Sequence, residues 1–369
     1  MGKRASFVQI AVFLAFTGIF LLLHLALPDR GLSGRESLQT APRFGLSSLF
    51  SGRLTRALEN YASDQFPFRE RWIALKAGAE LACGKEQNNG VFLCAGETLI
   101  EPFAAPAPAD LDRKLDALDA LAANAGVPVA FALVPSAAEI WGELLPRGTP
   151  NDSQRELISY CYGRTAAQTA DLCSALASHA AEPVYYRTDH HWTTLGAYYG
   201  YAALGEALGY TPLPLSSWRE RVVSEDFYGT AWSSSGFSWV KPDRISAYVE
   251  QDGAVITNYP SGTPEPGRLY AEEYLEQTDQ YSYFYGGNTP LLTVETGNPG
   301  PKLLLVRDSY MDSLSPFFFP HFSEIHILDL RYYKASLAEY IAAEGFDRVL
   351  VCYSVKNFAE DTNLFLLAR

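Results

Sequence analysis

Asp189, His191 and Ser309 are a carboxylate, an imidazole and a hydroxyl, three groups that together can do acyl chemistry. A serine hydroxyl is a weak nucleophile until a base takes its proton. An imidazole serves as that base when a carboxylate holds its other ring nitrogen. Asp189 and His191 lie in Thr188-Asp189-His190-His191-Trp192-Thr193, ahead of a helical pattern from Thr194 to Leu208 that Gly209 closes. In extended backbone, residues i and i+2 project to one side, so Asp189 would reach His191 while His190 points away. Ser309 follows the apolar run Leu303 to Val306 and opens a helical stretch. A parallel sheet holds its sites at the carboxyl ends of its strands. A helix start adds free N–H groups, so the Ser309 N–H would stabilise an oxyanion formed at its own side chain. Two plainer readings stand beside this one. Serine is a common helix cap, and Asp189, His190 and His191 are all metal-ligand types. Adjacent residues rarely bind one ion together, and no second cluster of ligand spacing is present, so neither a metal nor a cofactor is expected.

The elements that must position these residues alternate. A helix with Leu111, Leu115, Leu118 and Leu121 on one face precedes the buried-strand run Val127 to Val134. Strands at Leu303–Val306, Ile325–Leu328 and Val349–Tyr353 are separated by helical stretches, which implies an α/β fold with a parallel sheet covered on both faces. Residues 211–300 differ: they are rich in Trp, Tyr, Ser, Gly and Pro, and read as a β-rich insertion.

With 369 residues and 48% hydrophobic content, the chain can bury a large core. Its net charge of -13 and the lack of a basic stripe argue against nucleic acid as a partner. Lys3 and Arg4 precede an apolar run from Phe7 to Leu27, broken only by Gln9, Thr17, Gly18 and His24. A helix rising about 1.5 Å per residue over this run is long enough to span a bilayer, and the basic flank would stay in the cytoplasm. Residues 1–28 therefore read as one transmembrane anchor, with a cleaved signal peptide as the alternative. Residues 29–52 read as a tether, and the domain from 53 to 369 would lie outside the cytoplasm. Five cysteines suit that location. Cys83 with Cys94, or Cys161 with Cys173, would make a local disulfide, and Cys352 reads as a buried free thiol.

Asp189-His190-His191-Trp192 resembles the motif that names the DHHW protein family, extracytoplasmic proteins similar to the AlgX/AlgJ group of alginate O-acetylation proteins within the SGNH hydrolase superfamily. Five further blocks resemble the family in order: Asp64-Gln65-Phe66-Pro67-Phe68-Arg69, Asn89-Gly90-Val91-Phe92 with Leu99-Ile100-Glu101, Phe284-Tyr285-Gly286-Gly287-Asn288, Asp308-Ser309-Tyr310, and Leu328-Asp329-Leu330-Arg331-Tyr332-Tyr333. The resemblance runs from about residue 54 to the C-terminus. It implies a three-layer α/β/α fold of SGNH-hydrolase type, with Asp189 as triad acid, His191 as base and Ser309 as nucleophile. One departure is plain: where relatives often carry a lysine after the Val134-Pro135 block, this chain has Ser136-Ala137-Ala138-Glu139. Gly286 and Gly287 would let backbone approach a ligand closely, and the Asn288 amide would donate to an oxyanion; a simple turn is the other reading. Arg331 and Tyr333 would meet an acyl or sugar group, or else form a surface ion pair and a packed ring. Trp192 would stack on a sugar or pack the loop.

The resulting expectation is a membrane-anchored O-acetyltransferase acting on a cell-surface polysaccharide through an acetyl-serine, supplied by an integral-membrane acyltransferase partner. An acetylesterase of the same mechanism is the nearest alternative. A carbohydrate-binding or assembly protein without turnover is the other, given the aromatic residues Trp218, Phe227, Tyr228, Trp232, Phe237 and Trp239.

Overall fold

Side chains that alternate between two cores set the architecture. The computed structural model describes residues 3–33, 36–251 and 253–369. In strand Val129–Val134 (β1), Ala130, Ala132 and Val134 join one hydrophobic cluster while Val129, Phe131 and Leu133 join another. The period of two along a strand makes this division automatic. Six further strands and one two-residue edge complete the sheet: Gln168–Ala170 (β2), Val255–Asn258 (β3), Glu265–Pro266 (β4), Leu291–Glu295 (β5), Lys302–Arg307 (β6), Glu324–Leu328 (β7) and Arg348–Ser354 (β8). Their spatial order is β4-β3-β5-β7-β6-β8-β1-β2.

One sheet face is covered by Thr194–Leu208, which buries Ala197, Tyr201, Leu204 and Leu208, and by Leu172–Ser178. The other is covered by Pro108–Asn124, through Leu111, Leu115, Leu118 and Leu121, and by Gln154–Arg164. The fold is α/β, but the sheet is mixed where the sequence led us to expect a parallel one. β7, β6, β8, β1 and β2 run parallel. β5 is antiparallel to β7, and β3 to β5 and β4. Strands β3, β4 and β5 come from residues 211–300. Only the link from β3 to β4, residues 259–264, is too short for a crossover, so antiparallel pairing is forced there alone. The same stretch carries a ribbon, Arg221–Phe227 with Asp243–Ala247.

These elements belong to the unit Asn89–Ser234 with Trp239–Arg369; the other unit is Met1–Asn88 with Ser235–Ser238. In the latter, helix Lys3–Ala26 is long and apolar enough to cross a membrane. Phe20 on this helix stacks on Phe66, with ring centroids 5.2 Å apart, and meets Trp72 edge-on. Gln65 is buried and holds the segment after the helix. It accepts from Arg30 N and donates to the carbonyls of Arg30 and Gln39.

All five cysteines are free, so neither expected disulfide forms. Cys161 and Cys173 are fully buried in the apolar cluster beneath β1, where each fills space as a small hydrophobe. Burial pushes their thiols up, to about 12 and about 11.

Candidate active site

The tip of β6 delivers Ser309. The strand ends at Arg307, and a short helix, Met311–Leu314, starts two residues beyond the serine. Asp308 fixes the turn between them. Its Oδ1 accepts from Tyr310 N at 3.1 Å, and its Oδ2 accepts from Ser354 N, Ser354 Oγ and Asn357 Nδ2 at 2.7–2.8 Å. The turn carrying Ser309 is thus bonded to the end of the neighbouring strand β8. Ser309 is not a cap. Its Oγ lies 2.8 Å from His191 Nε2.

The loop carrying His191 is a tight bend, closed by an antiparallel bridge between Tyr185 and Trp192 and by the bond from Tyr186 N to His191 O. The i, i+2 argument therefore does not apply here. Asp189 reaches His191 by folding back: its Oδ1 accepts both from His191 N at 2.9 Å and from His191 Nδ1 at 2.5 Å. The other carboxylate oxygen accepts from Thr230 N and Thr230 Oγ1. Four donors thus converge on one buried carboxylate. With Nδ1 donating to Asp189, the lone pair of Nε2 faces the Ser309 hydroxyl, so the hydroxyl donates. His190 does not point away. Its ring sits 3.9 Å from that of His191, and its Nδ1 meets Thr230 Oγ1 at 2.6 Å. Both nitrogens of His191 are occupied, so the Asp189, His190 and His191 cluster has little lone-pair capacity left for an ion.

Several residues that the sequence reading passed over hold this arrangement. Tyr281 stacks on the His191 ring with centroids 3.8 Å apart, and its hydroxyl donates to Ser309 O. Asp243 accepts from Thr188 N and Thr188 Oγ1, tying the motif loop to the ribbon. Gly229 lies against Asp189 so closely that a Cβ there would sit 2.1 Å from the aspartate Cβ. Only the surplus of aromatic residues and glycines between 211 and 300 hints at these roles; their partners are far off in sequence.

The remaining sequence candidates divide. Trp192 is fully buried. Its Nε1 donates to Tyr310 O at 2.8 Å, and its ring fills the space over Gly200, so it packs the loop and does not stack on a sugar. Gly287 has a left-handed φ of 93°, and its N–H points at the Phe284 carbonyl, not into the site. Tyr333 packs at the edge of the cluster that holds Val129, Phe131 and Leu133, beside Tyr340. Arg331 grips Asp329 with Nε and Nη2 at 2.6–3.2 Å. Asn288 is exposed, at the same end of the sheet as Ser309. Among the described residues no acceptor takes the Ser309 N–H, so it is available to an oxyanion.

A roomy cavity away from the triad does not locate the chemistry. It measures about 680 Å³ and lies between Trp141, Arg187, Arg244 and Tyr248, without His191 or Ser309. A smaller one, about 50 Å³, adjoins Asp189, His190 and Tyr310, and is walled by Ser136, Ser354 and Lys356 at the carboxyl ends of the parallel strands.

The family model for DHHW protein matches residues 120–328, more than half of the chain. This chain belongs to the DHHW protein family. A DHHW family protein from Eubacterium siraeum shares its fold, with a TM-score of 0.66 at 24% identity over 76% of this chain and 95% of that one. Bacillus cereus PatB1, solved with a sulfonyl adduct, gives 0.64 at 19% identity over 76% and 98%. A probable alginate O-acetylase AlgJ from Pseudomonas fluorescens is 27% identical over 227 residues, 57% of this chain and 55% of that protein. The chain spans about half the length of the curated relatives it matches.

Proposed function

We propose that this DHHW protein is a serine-dependent O-acetyltransferase, anchored by its N-terminal helix with the α/β domain outside the cytoplasm, and that it acetylates a cell-surface polysaccharide. The observation that carries this reading is the unbroken line from Asp189 through His191 to Ser309, at 2.5 and 2.8 Å. Relatives named as probable alginate O-acetylases support the acetyl and polysaccharide parts.

Ser309 Oγ attacks the acetyl carbonyl carbon while its proton passes to His191 Nε2. The carbonyl π pair moves to oxygen, and the Ser309 N–H donates to the oxyanion. Asp189 stabilises the imidazolium through Nδ1. Collapse breaks the bond to the donor's leaving oxygen, which takes the proton from His191. A sugar hydroxyl then attacks the acetyl-serine, gives its proton to His191, and leaves as the acetylated sugar when Ser309 recovers that proton. Water in place of the sugar makes the same site an acetylesterase. A polytopic acyltransferase in the same membrane is the partner we propose as acetyl source.

The full chain in detergent micelles, given 4-nitrophenyl acetate with and without a glycan acceptor, tests this. Ser309→Ala should lower kcat by about 10³-fold or more, and wild type should move acetyl to the glycan. Equal rates for wild type and Ser309→Ala would end the serine mechanism.

A further inference from the structure

Two guanidinium groups converge on one amide oxygen at the end of the sheet that carries Ser309. Arg307 is buried, and its Nη1 donates to Asn288 Oδ1 at 3.1 Å. Arg331 Nη2 donates to the same atom at 3.3 Å. Both guanidinium groups are held from behind. Asp329, wholly buried, grips Arg331 and lies 3.6 Å from Arg307 Nη1, while Asp312 lies 2.9 Å from Arg307 Nη2. An amide's oxygen and nitrogen look alike in shape but not in hydrogen bonding. Turning the Asn288 amide over would put its two N–H donors against two cations. The orientation is therefore decided by charge: oxygen inward, nitrogen outward.

Asn288 is also delivered to a defined place. Tyr285, Gly286 and Gly287 all have positive φ, at 62°, 79° and 93°, which curls the chain just before it. Tyr285 is a strained position for a side chain. It is held by its N–H to Leu269 O and by its hydroxyl to Ser315 Oγ. β5 then pairs Leu291 with Leu328, and β7 pairs Leu328 with Val306. That register sets Asn288 at the end of the sheet where β6 delivers Ser309, one strand beyond β7. Among the described residues, no acceptor takes Asn288 Nδ2.

We propose that Arg307 and Arg331 are positioning residues, whose shared hold on Asn288 Oδ1 presents the Asn288 N–H2 group to the acyl oxyanion formed at Ser309. This rests on the reading of Ser309 as nucleophile. It also reassigns Arg331, which acts through Asn288 instead of binding sugar.

A double-mutant cycle on the full chain in detergent, with 4-nitrophenyl acetate as probe, tests it. The probe carries no sugar, so a loss cannot come from a missing glycan contact. Asn288→Ala should lower kcat by about 10²-fold. Arg331→Met, at a side chain 29% exposed, should lower kcat about tenfold or more with KM little changed, and Arg331→Lys should recover part of it. In the Asn288→Ala background, Arg331→Met should cost nothing further. Additive losses, or a raised KM at unchanged kcat, would refute the proposal. So would a Ser309-dependent rate that Arg331→Met leaves intact. If Ser309→Ala itself keeps the wild-type rate, the nucleophile reading fails first and this proposal with it.

Discussion

Gly229→Ala should disable the site without touching a reacting group. The Cβ added there would lie 2.1 Å from Asp189 Cβ and 2.3 Å from Asp189 Oδ2, about 1.3 Å closer than the 3.4 Å of ordinary contact. Gly229 has no left-handed φ, so the backbone itself would accept alanine. At such positions a glycine-to-alanine change usually adds about 0.4–1 kcal/mol of stability by restricting the unfolded chain. Here the opposing term is larger. Asp189 is clamped by four hydrogen bonds on its two oxygens and cannot yield as a flexible tip would. Overpacking of this kind costs about 1–3 kcal/mol, so a net loss of about 1–2 kcal/mol is expected. Displacing the acid by about 1 Å would also misalign His191 against Ser309, and misplacement on that scale lowers turnover about 10²-fold. The assay is kcat for 4-nitrophenyl acetate beside a thermal melt. A folded Gly229→Ala protein should turn over slowly at near-normal KM. A variant with wild-type kcat and unchanged or raised Tm would refute the claim that Gly229 spaces the catalytic acid.

Two further outcomes are expected. Burial pushes the Asp312 carboxyl up to about 7, against the pull of Arg307 and Arg331 and with Asp329 and Asp308 adding to it. The native state then binds the extra proton between about pH 4 and pH 7, so this group's contribution to stability is lost as pH rises through that window and levels off above it, by an amount on the order of a few kcal/mol. Urea unfolding at several pH values should show that slope, and Asp312→Asn should flatten it. Of the five free thiols only Cys83 is exposed, so a thiol reagent should modify one cysteine in the native chain and five in denaturant. Reducing agent should leave Tm unchanged.

Asp189, His191 and Ser309 were legible because acyl chemistry demands those residue types, and because short motifs carry them at a strand end and a loop. The α/β character followed from alternating apolar runs, such as Val129–Val134, whose side chains serve two cores at once. The sense of the added strands was not legible. Apolar period alone does not say whether β5 runs with or against β7. Nor were the supporting roles. Tyr281 beneath His191, Gly229 against Asp189 and Arg331 on Asn288 are defined by partners far off in sequence. Read locally, Arg331 is a cation beside a strand and Trp192 a sugar-sized ring. Burial and the direction of each hydrogen bond assign the first to holding an amide and the second to filling space over Gly200. The sequence by itself singled out Asp189, His191 and Ser309 as candidates and determined that a two-faced sheet would carry them, because composition and period are local properties. Which oxygen points inward, which ring is covered and which glycine leaves room are decided only when distant segments meet, because each depends on a neighbour that the local chain does not contain.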